Sequence, residues 1–227
     1  MSPLLSVTFV LLMLGCSPPT SSEGVAAPPD SLRLGDVIYE RLEPAEVTDR
    51  GPLAGRVERL VSDNLDKSGY EWLESGDSNY LEPNTLVYAA KDYDPAFRVV
   101  ARGGEGWTLY EVAANRSAKR AAALLDVGGK TYAVSVREEP DAASGDAYPF
   151  RGRKDVVAFV DAMLGTLVER ISADYSPGVF LIFKLDDGTE AVRFYEPGSG
   201  ELYLSEKDPS SGIVLPMKLQ EDLRRTL

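Results

Sequence analysis

The sequence VFLIFKLDDGTEAVRFY, residues 179–195, decides the fold class of this chain. Two runs rich in β-branched and aromatic residues, 179–185 and 189–195, flank the triplet Asp186-Asp187-Gly188. Asp-Gly favours the positive φ angles of a tight turn, so the stretch predicts an antiparallel hairpin. The first run is apolar at consecutive positions, which predicts a central strand covered on both faces.

Similar patterns predict further strands on the N-terminal side of this hairpin. Strands are predicted at residues 36–42, 85–89, 97–101 and 107–112. Gly103-Gly104-Glu105-Gly106 separates the last two and is typical of a hairpin turn. Another hairpin is predicted around Gly128-Gly129, between strands at 123–127 and 130–136.

Apolar residues spaced three and four positions apart predict two amphipathic helices. The first helix follows Gly51-Pro52, which places proline in its first turn, and its apolar stripe is Leu53, Val57, Leu60, Val61 and Leu65. The second contains Gly165, and its apolar stripe is Val156, Val160, Met163, Leu164, Leu167, Val168 and Ile171. A closing helical turn or two is predicted after Pro216 from Leu219, Leu223 and Leu227.

The order strand, helix, hairpin therefore occurs twice along the chain. We predict an α+β fold of two small tandem modules, each an antiparallel sheet with one covering helix. The first module spans residues 32–115 and the second spans residues 116–227. Because element order repeats but residues do not, one continuous α+β sheet is the alternative.

The N-terminus predicts a destination outside the cytoplasm. Residues 4–15 are apolar and uncharged, and at twelve residues they are too short to span a bilayer, which needs about 20. Such a run is typical of the apolar core of an export signal. The chain's single cysteine, Cys16, follows it directly. There are two alternatives: an ordinary secretory peptide with an incidental cysteine, or a single membrane anchor.

The tetrad Met13-Leu14-Gly15-Cys16 resembles the lipobox of bacterial lipoproteins. The resemblance implies that residues 1–15 are a signal peptide that is removed and that the Cys16 thiol is acylated. The membrane would then be a partner through that lipid, with the body on the extracytoplasmic side. Residues 16–31 would be the lipidated cysteine and a flexible tether rich in proline and serine.

Composition excludes several classes of function. The formal charge of −12 opposes contact with phosphate backbones, so nucleic-acid binding is not expected. The chain has no histidine, and acylation would consume its one thiol. This excludes Ser-His-Asp and Cys-His nucleophile systems and zinc sites built from His or Cys. No metal and no cofactor are predicted.

A dense group of charged and aromatic residues surrounds the turn Asp94-Pro95. The functional interpretation is a recognition face, with aromatic platforms and a Lys/Arg pair for a carboxylate or a sugar. The alternative is a turn whose aromatic residues pack in the core and whose charges pair locally. The candidate binding residues are Lys91, Tyr93, Asp94, Phe97 and Arg98.

The pattern VYxxKxYDPxFRV at residues 87–99, followed by Leu109-Tyr110-Glu111, resembles a motif of uncharacterised exported bacterial proteins. Their Leu-Asp-Val-x-Gly-Lys run corresponds to residues 125–130 here. The resemblance covers roughly residues 85–136. It implies a shared unit of fold and carries no assigned activity.

We expect a non-enzymatic module that binds a protein, a glycan or a small ligand in the cell envelope. The alternative is a histidine-independent hydrolase that uses two carboxylates on envelope polysaccharide, as glycosidases do. The paired acids are Asp92/Asp94, Glu138/Glu139 and Asp186/Asp187. A purely structural spacer is a third option.

Overall fold

A computed structural model of the chain describes residues 30–42, 49–61, 73–104, 106–139, 145–150, 152–169, 177–204 and 217–218. Their strands form two sheets, one of eight strands and one of five. The first sheet consists of β1 (Ser31–Leu34), β2 (Val37–Arg41), β3 (Arg50–Arg56), β4 (Arg59–Leu60), β5 (Asp77–Ser78), β6 (Leu86–Ala90), β7 (Arg98–Gly103) and β8 (Gly106–Asn115).

The first sheet returns on itself. Its strand order is β3-β6-β7-β8-β2-β1-β5-β4, and its two end strands, β3 and β4, are separated in the chain only by Val57 and Glu58. One continuous segment therefore pairs with β6 on one side and with β5 on the other. The enclosed core consists of Leu32, Tyr39, Val57, Leu81, Val87, Val99, Ala101 and Tyr110.

The second sheet is antiparallel and carries the helix. It consists of β9 (Thr131–Arg137), β10 (Val179–Leu185), β11 (Glu190–Glu196), β12 (Glu201–Tyr203) and β13 (Met217–Lys218), in the order β13-β12-β11-β10-β9. Helix α1 (Arg153–Leu164) packs against β9 through Val156, Phe159, Val160 and Met163.

The main core lies between α1, the second sheet and the outer surface of the first sheet. Phe97 and Val112 come from the first sheet's side of this core. Leu181, Phe183 and Tyr195 come from the second sheet and pack in the same cluster. The two sheets thus share one apolar core, while the proposed division at residues 115 and 116 stays a prediction.

The predicted α+β fold is wrong. Strands dominate the described residues, which contain one α-helix, and that helix covers only the second sheet. The helix predicted after Gly51-Pro52 is strand β3 in the structure. Gly51, Pro52 and Gly55 have low helix propensity. Hydrogen bonds with β6 stabilise the segment as a strand in spite of the helical spacing of its apolar residues. Leu53 from the predicted stripe is 58% exposed.

The strand predicted at residues 123–127 is also wrong. That segment begins at the last residue of a short 3₁₀ turn (Ala121–Ala123), and Leu124, Leu125 and Val127 pack in the main core without joining a sheet. Strand β1 was not predicted, and it begins at Ser31, the last residue of the predicted tether. Helix α1 ends at Leu164, before Gly165, instead of continuing to residue 171.

The remaining predicted strands are confirmed. Strands β2, β6, β7, β8 and β9 correspond to the predictions at 36–42, 85–89, 97–101, 107–112 and 130–136. Hairpin β10–β11 turns at Gly188, whose φ of 84° is the left-handed geometry that favours glycine. Within the described residues, no helix has both the length and the apolar character needed to cross a membrane.

Several predictions fall on residues outside the described ranges. They include the signal peptide at residues 1–15, the acylation of Cys16, most of the tether, and the predicted closing helix with Leu219, Leu223 and Leu227.

Candidate functional site

Three buried charged side chains lie where the two sheets meet. Arg98 at the start of β7 is the cross-strand partner of Glu111 in β8, and Arg193 comes from β11. Arg98 Nε donates to Glu111 Oε2 at 2.7 Å, and Arg193 Nη1 lies 2.6 Å from Glu111 Oε1. The exposed fractions of Arg98, Glu111 and Arg193 are 0%, 6% and 2%. We call these three residues the buried charge cluster.

Arg98 also connects the first sheet to the turn of the second. Its Nη1 donates to Thr189 Oγ1 at 2.6 Å, and its Nη2 donates to the backbone oxygen of Glu190 at 2.9 Å. The rings of Tyr93 and Phe97 lie 5.0 Å and 4.9 Å from its guanidinium carbon. Because a buried guanidinium needs both counter-charge and hydrogen-bond acceptors, these contacts explain how Arg98 can be fully buried.

The cluster keeps Glu111 ionised. Burial by itself raises the pKa of Glu111, since a carboxylate loses its hydration in the interior. The attraction and hydrogen bonds of Arg193 and Arg98 outweigh this effect and hold the pKa of Glu111 below its ordinary value. Glu111 is therefore a counter-charge shared by two arginines from different sheets.

The five candidate binding residues do not form one exposed face. Lys91 is exposed, and its Nζ lies 2.7 Å from Asp49 Oδ2. Asp94 Oδ1 accepts a hydrogen bond from the backbone nitrogen of Ala96 at 2.7 Å, which stabilises the turn. Phe97 is 1% exposed and Arg98 is fully buried, so neither contributes surface to a partner.

Tyr93 joins this turn to the second sheet. Its hydroxyl donates to Asp187 Oδ2 at 2.7 Å, and its ring lies 5.7 Å from that of Phe97. Lys130 Nζ lies 5.0 Å from the Tyr93 ring. The turn therefore acts as a connection between the sheets, which agrees with the interpretation of core aromatics and locally paired charges.

Glu111 and Arg193 were missed as site residues, although the sequence carries a signal for both. Glu111 stands between Tyr110 and Val112, and Arg193 stands between Val192 and Phe194. A single charge inside an otherwise apolar strand is unusual, because charged groups are seldom buried without a partner. The sequence alone does not indicate that these two isolated charges meet.

A small open cleft lies beside the cluster, and its water-accessible volume of about 30 Å³ is on the order of one water molecule. Arg193 lines it, and its Nη1 is engaged by Glu111 and by the backbone oxygen of Val192. Its Nε and Nη2 are buried and have no hydrogen-bond partner among the described residues. The other lining residues are Glu40, Arg41, Leu42, Glu111, Val112, Val192 and Leu204.

A second group of charges connects strands β9, β10 and β11 to Asp146 in the segment at 145–150. Asp146 pairs with Arg137, and Lys184 Nζ lies 2.8 Å from Asp146 Oδ2 and 2.9 Å from Glu190 Oε1. Hydrogen bonds from Arg137 and then Lys184 hold the pKa of Asp146 well below its ordinary value. Burial opposes ionisation of Glu190, but Lys184 and Arg137 outweigh it and lower its pKa as well.

The carboxyl groups with shifted pKa values do not suit acid catalysis. Burial by itself raises the pKa of Asp187, but hydrogen bonds from Thr189 and Tyr93 outweigh this effect and lower the pKa. The pKa values of Glu111, Asp146 and Glu190 are lowered too. A glycosidase needs one carboxyl group that stays protonated near its working pH. These four groups are held in the ionised form instead. No group of three acidic, histidine or cysteine residues within the described ranges is arranged to hold a metal ion.

Glu111 should make stability depend on acid pH. Because its pKa is lower in the folded chain than in the unfolded chain, its contribution is present above the ordinary glutamate pKa and lost as pH falls through the folded value. We expect the free energy of unfolding to stay nearly level from neutral pH to about pH 5 and to fall below that.

Urea titrations at several pH values measure this dependence. Glu111→Gln should reduce the acid slope by at most about 1.4 kcal/mol per pH unit, which is the value for one proton. An equal slope in the variant and the wild-type chain would show that Glu111 does not bind its proton preferentially in the unfolded state.

The site must be interpreted from its own chemistry. No protein family matches the chain, and no curated protein or solved structure shows significant similarity to it. The geometry offers two sheets that share a core and a small cleft that one buried guanidinium adjoins. A cleft of this size has room for a water molecule or a group of similar size.

Proposed function

We propose that this chain is a membrane-anchored extracytoplasmic lipoprotein whose body is a non-enzymatic binding module of the cell envelope. The anchor is supported by the uncharged apolar run at residues 4–15 and by the position of the single cysteine, Cys16, at its end. The segment from Cys16 to the start of β1 supplies a tether rich in proline and serine. The partner would be an envelope protein or a glycan.

One observation carries the non-enzymatic part of the proposal. The four carboxyl groups with shifted pKa values are all held ionised, mostly by arginine and lysine neighbours. The chain also has no histidine, the usual proton carrier at neutral pH. These groups support binding through fixed charges better than proton transfer.

The anchor makes a direct prediction. Protein produced with its own N-terminus should partition into the detergent phase, and its first mature residue should be Cys16 carrying acyl mass. Several acyl chains on one residue hold a protein firmly at a membrane. Mass spectrometry of the N-terminal peptide measures the modification, and Cys16→Ser should move the protein to the aqueous phase. A mature N-terminus beyond Cys16 without lipid would contradict the proposal.

The non-enzymatic proposal and the hydrolase alternative make opposite predictions for the body. If the body is non-enzymatic, purified envelope polysaccharide incubated with the full chain should release no reducing ends above a blank. Release that is lost when one acid of a pair is changed to its amide, for example Asp187→Asn, would overturn the non-enzymatic part and favour the hydrolase. Arg59→Lys provides a control, because Arg59 is exposed and pairs with Glu74 and Asp77, which are not among these acids.

A further inference from the structure

Arginine, aromatic and leucine side chains share one outward face of the first sheet. Residues of the enclosed core alternate along β6, β7 and β8 with residues that point outward. We call part of this surface the arginine-aromatic face, and its residues are Arg50, Arg56, Leu86, Tyr88, Arg102 and Trp107. Leu86 is 36% exposed, and Leu53, the cross-strand partner of Tyr88, adjoins the face and is 58% exposed.

The strand register places four of these residues in one row. Arg56 is the cross-strand partner of Leu86, and Arg102 is that of Trp107. The register of β6 with β7 joins the two pairs, because it places Leu86 opposite Arg102. Neighbouring strands lie about 4.8 Å apart, so the row spans about 14 Å. Two guanidinium groups therefore flank an exposed leucine.

The third arginine, Arg50, lies over the two aromatic rings. Its guanidinium carbon is 4.5 Å from the centroid of the Tyr88 ring and 5.0 Å from that of the Trp107 ring. The rings themselves meet edge to face, with centroids 5.9 Å apart. An arginine in this position leaves less ring surface for stacking by a sugar, and because Arg50 is exposed its N–H groups remain at the surface for an anion.

The arginines of this face have no acidic partner in the part of the chain that the structure describes. Arg50, Arg56 and Arg102 form no ion pair with a described residue. Asp49 precedes Arg50 in the chain but is paired with Lys91. All three guanidinium groups are therefore able to donate to phosphate oxygens.

Other acids close in sequence do not neutralise the face by contact. The side chain of Glu58 lies against Gly76, beside β5. Glu82 is exposed in the loop before β6 and forms no ion pair with a described residue. Glu105 precedes β8 and lies outside the described ranges. Salt screens exposed charges over about 8 Å, so acids on distant elements oppose an anion at this face only weakly.

The chain enters the first sheet at the end that carries this face. Strands β1 and β8 both pair antiparallel with β2, so they run in the same direction. Ser31, at the start of β1, therefore lies toward the end of the sheet where β8 begins with Gly106 and Trp107. A lipid on Cys16 would hold this end toward the membrane, because only residues 17–30 separate it from β1.

We infer that the arginine-aromatic face binds an anionic lipid surface, as a second membrane contact besides the lipid on Cys16. The inference rests on the proposed anchor and names what the anchored body contacts. Arginine pairs with lipid phosphate, and tyrosine and tryptophan favour the membrane–water interface. Leu53 and Leu86 would bury at the acyl boundary, and since such leucines add little to binding of a polar glycan, they favour lipid over an acidic glycan.

Quenching of Trp107 fluorescence tests this contact. Trp72→Phe leaves Trp107 as the only tryptophan of the chain. The acylated full chain with this change is reconstituted into vesicles of equal parts phosphatidylglycerol and phosphatidylcholine with brominated acyl chains. Because bromine quenches at short range, Trp107 should be quenched there, and several-fold less in brominated phosphatidylcholine alone. If Trp72→Phe fails to fold, the same two lipid mixtures are compared with the wild-type chain.

Paired variants separate the arginines of the face from charge in general. Arg56→Gln combined with Arg102→Gln should lower the ratio of bound to unbound bodies by about tenfold or more, since one basic residue near an anionic surface contributes about fivefold. Lys119→Gln combined with Lys154→Gln is the matched control and should leave quenching unchanged. It removes the same charge from two exposed lysines, one after β8 ends and one on α1.

Three outcomes would overturn the inference. They are no quenching of Trp107 in acylated protein, equal quenching in the two lipid mixtures, and equal loss in the two paired variants. Saturable binding of polygalacturonate that needs Arg56 and Arg102, without quenching by vesicles, would assign the face to an acidic glycan instead. Mass spectrometry of the same sample verifies acylation, so a failed quenching experiment leaves the proposed function, which fails separately on the acylation and reducing-end measurements.

Discussion

Replacing Arg98 by alanine should lower the free energy of unfolding by about 3–5 kcal/mol. Glu111 would keep Arg193 but lose the other of its two arginine partners while it stays buried, and removing one partner from a buried ion-pair cluster is strongly destabilising. Thr189 Oγ1 and the backbone oxygen of Glu190 would also lose their guanidinium donor. The connection between the two sheets would be weakened at the same position.

Urea unfolding followed by tryptophan fluorescence and circular dichroism measures this effect. Lys91→Ala is the matched control, since its ion pair with Asp49 is exposed, and such pairs contribute about 0–1 kcal/mol. The triple change Arg98→Met, Glu111→Leu and Arg193→Met should recover much of the loss, because well-packed apolar residues often replace buried ions without cost. A loss below about 1 kcal/mol for Arg98→Ala would show that the cluster does not hold the sheets together.

Phe97→Ala should cost about 3–5 kcal/mol, the range for removing a buried phenylalanine ring from a core. Phe97 is 1% exposed and packs in the core that both sheets share. Its ring also lies against Tyr93 and beneath the guanidinium of Arg98. The resulting cavity would loosen the support of the buried charge cluster as well as the core.

The comparison for this variant is Tyr132→Ala, which removes a ring that is 47% exposed on β9. Its effect should stay below about 1 kcal/mol. Thermal and urea unfolding of both variants give the difference, with the denaturant slope checked for a change in the exposed surface. Equal losses in the two variants would contradict the assignment of Phe97 to the core.

Hairpins β7–β8 and β10–β11 were predictable because their signals are local, whereas the hairpin predicted around Gly128-Gly129 does not form. Asp-Gly at residues 187–188 requires a tight turn, and the flanking runs are rich in β-branched and aromatic residues. Segment 50–56 forms a strand although its leucine and the apolar residues that follow have helical spacing. Its true partner is β6, where Leu86 pairs with Arg56 and Ala90 pairs with Arg50, and nothing local marks that pairing.

The candidate site was also predictable only in part, because its contacts join residues that are far apart in the sequence. The motif around Asp94-Pro95 identified Tyr93, Phe97 and Arg98 as unusual residues, and all three have specific contacts in the structure. Packing of the aromatic residues in the core was one of the two interpretations of this motif, and Phe97 follows it. The full burial of Arg98 was not predictable, because it depends on contacts with Thr189 and Glu190 in the second half of the chain. The sequence therefore identifies unusual residues, but it does not indicate which of them contact each other in the fold.

The wide sequence separation within the buried charge cluster has a consequence for folding kinetics. The hydrogen bonds from Arg98 to Thr189 and to Glu190 span 91 and 92 residues. Sheets built on such distant pairings have a high contact order, and domains of that kind fold in milliseconds to seconds. Glu111 has only Arg98 as its counter-charge until β11 packs against the first sheet and brings Arg193. Packing of the second sheet therefore completes the burial of this charge. We therefore expect the two sheets to acquire their native stability in one cooperative transition.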